Sequence, residues 1–239
     1  MDSLAEETRI LNGRPVEVVM KGLFIGLFSE YDHFIGELLK AIYAANPSLY
    51  KGLKREISLT DLLDFSSIEE IKRDILEKEI DGFRRDSYID QFAGLERMFD
   101  IRTLTAFPEW PQFIEMAQRR NLMTHNGGYV SQQYLATCQK NSVSFSSAPA
   151  IGTQLAFDGK YLGDALLVVS KVGFMLAHTL WRKILPNDVD ASNEEINDSI
   201  YDLLTWQRWR VAAAFGDFAL TDPMRRNIKD IQLRIRLIN

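Results

Sequence analysis

Residues 110–128 read WPQFIEMAQRRNLMTHNGG, and this segment is the most informative part of the sequence. Apolar side chains recur in it at the three- and four-residue spacing of one helical face. Pro111 is acceptable in a first helical turn, and the Gly127-Gly128 pair is typical of the end of a helix. The pattern therefore predicts an amphipathic helix over residues 110–125.

Arg120 occupies an unusual position on this predicted helix. At about 100° per residue it lies in the middle of the apolar face, within about 60° of most of the buried-type side chains. A buried arginine is costly unless it is paired, so Glu115 or a carboxylate from residues 81–100 is one expected partner. The alternative is an open crevice or a subunit interface, where the planar guanidinium meets a phosphate.

Three polar side chains border the apolar face that contains Arg120. Gln118, Asn121 and His125 fall together on the wheel, about 100 to 160° from the arginine. Imidazole is the side chain that most readily exchanges protons near neutral pH, so His125 is a candidate acid/base as well as a plain helix-terminal residue. His33 and His178 are interpreted as structural.

The rest of the chain predicts more helices and no strand run long enough for a sheet. Serines at 58 and 66 resemble helix N-caps, and residues 139–159 predict a loop or small hairpin. We therefore expect an all-α helical bundle with extra C-terminal helices. The expected helices cover residues 17–45, 66–79 with a continuation over 81–99, 110–125, 160–185, 194–218 and 224–238.

The expected organisation has three parts: an N-terminal tail at 1–15, a helical domain at 16–185, and an acidic linker with a helical cap or extension at 186–239. The apolar pattern persists to the last residues, which is consistent with one part of a longer helical protein. The tryptophan- and arginine-rich stretch that contains Trp206 and Trp209 fits a packed cap better than a basic aromatic surface for RNA, because tryptophan at helical spacing is more often in a core.

Composition excludes several classes of protein. The 239 residues are 46% hydrophobic and 26% charged, which is typical of a globular chain. Cys138 is the single cysteine, so no internal disulfide is possible, and three histidines make structural zinc an unfavoured expectation. The acidic N-terminus lacks an apolar signal region, which predicts a cytoplasmic location. Charges within residues 161–181 favour a core helix over a membrane span.

The charge distribution limits any contact with nucleic acid. The formal net charge is -5, which opposes phosphate binding over the whole surface. Residues 186–202 contain six acidic and no basic side chains, whereas residues 207–239 contain seven basic and three acidic ones. Contact with RNA would therefore be local, although a charge run is more often a solvated face.

The string RNLMTH at residues 120–125 matches RNxxxH, a form of the Arg-x4-6-His signature, and the chain here resembles HEPN (higher eukaryotes and prokaryotes nucleotide-binding) domains. The resemblance covers residues 15–185: a long amphipathic helix and a charged helix precede the motif, and an apolar helix ending LWRKILP follows it. It implies a helical bundle that pairs with a second copy and often acts as a metal-independent endoribonuclease in toxin, phage-exclusion (anti-phage) and CRISPR systems.

Carried over to this chain, the resemblance assigns three site residues. Arg120 would stabilise the scissile phosphate, His125 would be the acid/base and Asn121 would orient the site. The attacking group is the ribose 2′-hydroxyl, so no cofactor or metal is expected, and the products would carry a 2′,3′-cyclic phosphate. Since Arg120 and His125 diverge by about 140° on the wheel, a homodimer with a composite site at its interface is part of the hypothesis.

A second interpretation remains open. Many bundles of this type are catalytically inactive and serve as dimerisation or binding modules, with a regulatory protein or RNA as the partner. An open cleft shared by Arg120 and His125 favours the nuclease, whereas an internal carboxylate that neutralises Arg120 favours the module. Cys138, which lies thirteen residues after His125, is not interpreted as a nucleophile.

Overall fold

The computed structural model describes residues 2–54 and 56–221, and side chains from residue 15 onward. Within these ranges the chain forms nine α-helices, one 3₁₀ helix and no β-strand, which confirms the predicted all-α class. The elements in chain order are α1 (Asp2–Ala45), a 3₁₀ helix (Pro47–Gly52), α2 (Leu59–Leu63), α3 (Ile68–Arg85), α4 (Tyr88–Phe99), α5 (Trp110–His125), α6 (Gln132–Lys140), α7 (Gly159–Ile184), α8 (Val189–Thr205) and α9 (Trp209–Ala219).

The main core lies between α1, α5 and α7. Phe24 and Phe28 from α1 and Phe113 from α5 are completely buried. Their rings meet those of neighbouring aromatic side chains at centroid distances between 5 and 6.3 Å, in tilted or edge-to-face arrangements that aromatic pairs prefer. The apolar spacing seen in the sequence of α1 and α5 therefore reports the buried faces of both helices.

Several predicted helix boundaries are confirmed. α5 begins at Trp110 and ends at His125, before the glycine pair. α1 ends at Ala45, and α7 begins one residue earlier than expected. The hydroxyl of Ser58 caps α2, whereas α3 is capped by Ser67 rather than by Ser66: the Ser67 hydroxyl accepts from the Glu70 amide, and the Glu70 carboxylate accepts from the Ser66 amide.

Three boundaries differ from the prediction. The helix expected over 81–99 is interrupted at Asp86, and α4 restarts at Tyr88 because Ser87 caps it by accepting a hydrogen bond from the Asp90 amide. α1 already begins at Asp2, so the backbone of the expected tail is helical. α6 is an additional helix, which Ser131 caps and whose Tyr134 and Cys138 are buried.

The C-terminal segment also differs. Most of the expected acidic linker is helix α8, and the single helix predicted over 194–218 is two helices. Gln207 separates them with a left-handed φ of 57°. Both helices pack on α7 through a small core in which the rings of Phe174 and Phe215 stack at 3.7 Å. The predicted helix over 224–238 lies outside the described residues.

Trp206 and Trp209 do not contribute to this packed cap. They are 64% and 59% exposed, respectively. The cap is held by Ile196, Phe215 and Phe218 instead. The expectation that the tryptophans would be buried is therefore wrong.

α7 is long and apolar. Among the described helices it alone has the length and hydropathy that a membrane span requires. Its Val168, Val172 and Leu176 are buried against the other helices of the bundle. These contacts agree with its interpretation as a core helix.

A buried carboxylate connects α5, α6 and α7. Glu115 is 6% exposed, and its Oε1 accepts hydrogen bonds from Arg119 Nε at 2.8 Å and from the Tyr134 hydroxyl at 2.7 Å. Its Oε2 accepts one from the Tyr161 hydroxyl at 2.6 Å. Burial, and then the charge of Glu115, raise the pKa of both tyrosines above the usual range, so they remain donors.

Replacing Glu115 by leucine should destabilise the protein strongly. The substitution leaves the buried Arg119 charge and two hydroxyls without their acceptor, which typically costs about 3–5 kcal/mol. Glu115→Gln keeps one acceptor oxygen and should lose less. Equilibrium unfolding in guanidinium measures the difference. Glu69→Leu, on the exposed face of α3, is the control and should change stability by no more than about 0.5 kcal/mol. A loss below 1 kcal/mol in Glu115→Leu would contradict the role assigned to this carboxylate, given that about 3 kcal/mol is expected.

His178 is buried where α7 meets α8. Its Nδ1 lies 3.0 Å from the Ser192 hydroxyl, and its ring packs against Phe174 and Trp181. Burial, together with the nearby charge of Arg182, lowers the pKa of His178 to about 4. The folded protein therefore holds this imidazole neutral at neutral pH, which agrees with its interpretation as structural.

This histidine should make the protein sensitive to acid. Between the unfolded pKa of about 6.5 and the folded value, the unfolded chain binds the additional proton. Stability is therefore complete above pH 6.5, and about 3 kcal/mol is lost as the pH falls towards 4. In His178→Leu the free energy of unfolding should decline less over this range, whereas in His33→Leu, at an exposed position, it should decline as in the wild type. Equal declines in all three proteins would refute the assignment.

Candidate functional site

A cleft of about 720 Å³ opens beside the C-terminal half of α5. One wall is α5 itself, and the others are α1, the junction between α3 and α4, and the start of α6. Most of the lining is polar. The residues that contribute are Asp32, Arg84, Arg85, Asp86, Ser87, Tyr88, Gln91, Gln118, Arg120, Asn121, Leu122, His125, Asn126, Ser131, Gln133 and Tyr134.

The structure brings all three predicted site residues to this one cleft. Arg120, Asn121 and His125 line it together with Gln118, so the polar strip identified on the helical wheel faces a shared space. Arg120 and His125 differ by about 140° around the axis of α5, and both still line the same cleft. One copy of the protein therefore presents both side chains to the same cleft.

The rotation of α5 separates its two adjacent arginines. Arg119 points inward, where its guanidinium binds Glu115, donates to the Ala156 carbonyl and lies 4.1 Å from the centre of the Tyr161 ring. Arg120 points into the cleft, with 24% of its side chain exposed. The sequence predicted that Arg120 would pair with Glu115 or with a carboxylate from residues 81–100, and both predictions are wrong. Glu115 pairs with Arg119, and the carboxylate that faces Arg120 is Asp32.

Arg120 has hydrogen-bonding capacity to spare. Among the described residues its guanidinium makes one hydrogen bond, from Nη1 to Asn121 Oδ1 at 3.2 Å, and its buried Nε has no partner. The nearest carboxylate oxygen is Asp32 Oδ2, 3.7 Å from Nη2. An arginine has five N–H donors, so most of those on Arg120 make no hydrogen bond among the described residues.

Asp32, on α1, is the carboxylate that partly balances Arg120. Its Oδ1 accepts a hydrogen bond of 2.7 Å from the Tyr88 hydroxyl. Burial raises the pKa of Asp32, and the hydrogen bond from Tyr88 and the charges of Arg120 and Arg84 oppose that shift. Tyr88 stays protonated because burial and the adjacent Asp32 raise its pKa above the usual range. Asp32 therefore accepts from Tyr88 on one side and faces Arg120 on the other.

Two further arginines extend the positive wall of the cleft. Arg84 donates to the backbone carbonyls of Asp32 and His33, at 3.0 and 3.3 Å, and Arg85 is exposed at the end of α3. Arg84 can lie against α1 because Gly36 has no side chain: a methyl group there would overlap the guanidinium. The cleft thus has three arginines and two carboxylates, Asp32 and Asp86, among its lining residues.

His125 stands at the mouth of the cleft because α5 ends directly after it. The amides of Asn126 and Gly128 both donate to the Leu122 carbonyl, and Gly127 and Gly128 adopt left-handed φ angles of 60° and 86°. Glycine adopts such angles without the steric cost that a side chain adds. The chain then turns, and Gln154 Nε2 donates to the Gly127 carbonyl. The glycine pair therefore leaves the imidazole exposed at the helix end.

The sequence did not reveal the partners that other helices contribute. Asp32 and Tyr88 are separated from the motif by many residues, and no local pattern links them to it. The Ser87-x-x-Asp90 capping pattern was the one available signal for Tyr88, because it marks where α4 restarts and faces the cleft. The Arg84-Arg85 pair is visible in the sequence as a basic helix end, but its approach to α1 is a tertiary contact.

Cys138 is a packing residue in this structure. It is completely buried, and burial raises the pKa of its thiol to about 12, so it is not a thiolate near neutral pH. Among the residues that the structure describes, no cluster of three or more His, Cys, Asp or Glu side chains has the arrangement of a metal site. The polar groups of the cleft are amides, hydroxyls, three guanidinium groups, two carboxylates and one imidazole.

Comparison of the chain with protein-family models, with curated proteins and with solved structures gives no match. The likeness to HEPN domains therefore rests on the RNxxxH string and on the helices around it.

Asp32→Asn should increase the affinity of the cleft for inorganic pyrophosphate. The variant keeps an oxygen for Tyr88 but removes the charge that competes for Arg120. A partly exposed pair of this kind contributes up to about 1 kcal/mol, so the dissociation constant measured by calorimetry should fall about two- to fivefold. Asp86→Asn is the matched control, because it removes a cleft charge that makes no ion pair among the described residues. An equal gain in both variants would show a general charge effect rather than release of Arg120.

Proposed function

We propose that this protein is a metal-independent endoribonuclease of HEPN type. The observation that carries the proposal is the placement of Arg120, Asn121 and His125 on one open cleft, with most of the donors of Arg120 unused. A guanidinium with free N–H groups beside an exposed imidazole is the chemistry that phosphodiester cleavage needs. The neighbouring Arg84 and Arg85 add positive charge along the path of an RNA backbone.

In the proposed reaction the ribose 2′-hydroxyl attacks the adjacent phosphorus. His125 takes the proton of the 2′-hydroxyl as its oxygen attacks and gives a proton to the leaving 5′-oxygen, and Arg120 stabilises the charge that develops on the phosphate oxygens. Asn121 holds the guanidinium in place by accepting its Nη1–H. The bond to the 5′-oxygen breaks, which leaves a 2′,3′-cyclic phosphate and a 5′-hydroxyl. DNA lacks the nucleophile and is not cleaved.

We further propose that two copies assemble with their clefts at a common interface, and that a toxin or anti-phage system is the context. A twofold axis would bring the His125 of one copy near the phosphate held by the other, which doubles the groups available at each scissile bond. A regulatory protein partner would act by covering the cleft.

The ion pair between Arg120 and Asp32 supports a second candidate function. A carboxylate 3.7 Å from the guanidinium partly neutralises it, as expected for a catalytically inactive dimerisation or binding module. The two candidates differ in whether phosphate displaces Asp32 from Arg120. Cleavage assays distinguish them directly.

Purified protein should cleave labelled single-stranded RNA or tRNA in the presence of EDTA. Replacement of His125 by alanine should reduce the rate by about 100-fold or more, as for loss of a general acid/base. Arg120→Ala should reduce it by about 100- to 1000-fold, as for loss of an electrostatic stabiliser. Asn121→Ala should have a smaller effect. Analysis of the new 3′ ends should show cyclic phosphate.

The controls are Arg102→Ala and His33→Ala, which remove the same side-chain types from exposed positions outside the cleft. Both should cleave at the wild-type rate, and thermal unfolding should show that all variants are folded. Cleavage that survives in Arg120→Ala and His125→Ala would refute the assigned site. Absence of cleavage by the wild type, with RNA or protein binding retained in both cleft variants, would establish the binding module instead.

A further inference from the structure

The turn between α8 and α9 presents two tryptophans to solvent. Residues 206–210 read WQRWR, and they alternate aromatic and basic side chains around Gln207. Trp206 ends α8 and Trp209 begins α9, and both are more than half exposed. Large aromatic surfaces are costly to leave in water, so an exposed pair indicates a binding surface.

The backbone holds this turn in a defined shape. Gln207 has a left-handed φ of 57°. The Gln207 amide donates to the Leu204 carbonyl at 3.0 Å, and the Arg208 amide donates to the Leu203 carbonyl at 2.7 Å. These bonds close the end of α8 in the manner of a Schellman motif. The backbone that carries the two indoles is therefore ordered before a ligand binds.

A shallow groove of about 280 Å³ runs beside Trp209. Its other wall is α7, which contributes Gly163 and the half-exposed Leu166 to the lining. No atom lies within 4 Å of where a Cβ on Gly163 would be, so the groove is unfilled at this point. Arg210 donates to Asp164 Oδ1 at 2.8 Å and fixes the start of α9 against α7.

The charge of this surface matches a polyanion. Arg208 is exposed and makes no ion pair among the described residues, so its guanidinium is available for a phosphate. The acidic run of the chain ends at Asp202, before the turn, and Arg208 and Arg210 flank Trp209; the charge of Arg210 is balanced by Asp164, so Arg208 supplies the unpaired positive charge. Interleaved arginines and exposed aromatic rings are the combination that binds single strands, in which unpaired bases stack and the backbone is neutralised.

We propose that Trp206, Trp209 and Arg208, with the groove at Gly163, bind single-stranded RNA by base stacking and phosphate contact. The occupant is a single strand because the indoles require unpaired base faces, which a duplex does not offer. None of these residues lines the cleft that contains Arg120. This surface therefore holds an RNA strand whether or not the cleft cleaves it.

The test uses a fluorescein-labelled strand of about 12 nucleotides made of 2′-O-methyl RNA, which the proposed cleavage cannot consume. All proteins carry Arg120→Ala, so the main phosphate ligand of the cleft is absent. Anisotropy gives the dissociation constant, and quenching of tryptophan fluorescence reports stacking. We expect quenching with the single strand and none with its duplex.

Replacement of both Trp206 and Trp209 by alanine should weaken binding at least tenfold, since each stacked base contributes at least about 1 kcal/mol. Arg208→Gln should weaken it less and reduce the salt dependence by about one phosphate contact. Gly163→Leu fills the groove while both tryptophans are retained, so it should weaken binding even if the double variant folds poorly. Tyr201→Ala and Gly22→Leu, at exposed positions outside the groove, are the matched controls and should bind as the parent does.

Binding within twofold of the parent in both the double tryptophan variant and Gly163→Leu would overturn the proposal. So would a dimer that dissociates in the double variant while strand affinity stays unchanged, because the surface would then belong to a second copy. Equal loss of affinity in Tyr201→Ala would also overturn it. Each outcome is independent of cleavage, so failure here is distinguishable from failure of the proposed nuclease function.

Discussion

The Glu115 carboxylate fixes the rotation of α5, and that rotation sets which α5 residues face the cleft. By accepting from Arg119, Tyr134 and Tyr161 it draws the first arginine of the pair into the bundle. Successive residues of a helix differ by about 100°, so the next arginine must then face away from this network and towards α1. A buried charge is tolerated here because its donors come from three different helices and satisfy both oxygens.

Arg120 is held less tightly than Arg119, and this difference makes Arg120 the candidate ligand-binding arginine of the pair and Arg119 the structural one. Arg119 has a carboxylate partner at hydrogen-bond distance, a carbonyl acceptor and an aromatic ring beneath it. Arg120 has an amide acceptor and a carboxylate oxygen 3.7 Å away. A phosphate can therefore bind the Arg120 guanidinium without breaking the hydrogen bonds of the buried Glu115 network. Displacement of Arg119 would instead break the contacts that join α5 to α7.

Local patterns in the sequence were sufficient for the all-α class and for the wall of the cleft that α5 forms. The apolar spacing, the proline and the glycine pair predicted both ends of α5, because all of these signals act within a few residues. The break at Ser87 and the turn at Gln207 were missed: a serine cap inside a continuous apolar pattern is a weak signal, and a left-handed glutamine has none. Asp32 and Tyr88 could not be predicted, since only packing brings α1 and α4 to Arg120.

The exposed tryptophans have a related physical cause. The sequence predicted one unbroken helix over residues 194–218. On such a helix, Trp206 and Trp209 have the spacing of a buried face, and their burial was inferred from that spacing. The turn at Gln207 changes the direction of the chain between them, so α9 buries Phe215 and Phe218 against α7 and leaves both indoles outside. Burial inferred from helical spacing thus depends on the helix being unbroken, and a single left-handed residue reverses the outcome for its neighbours.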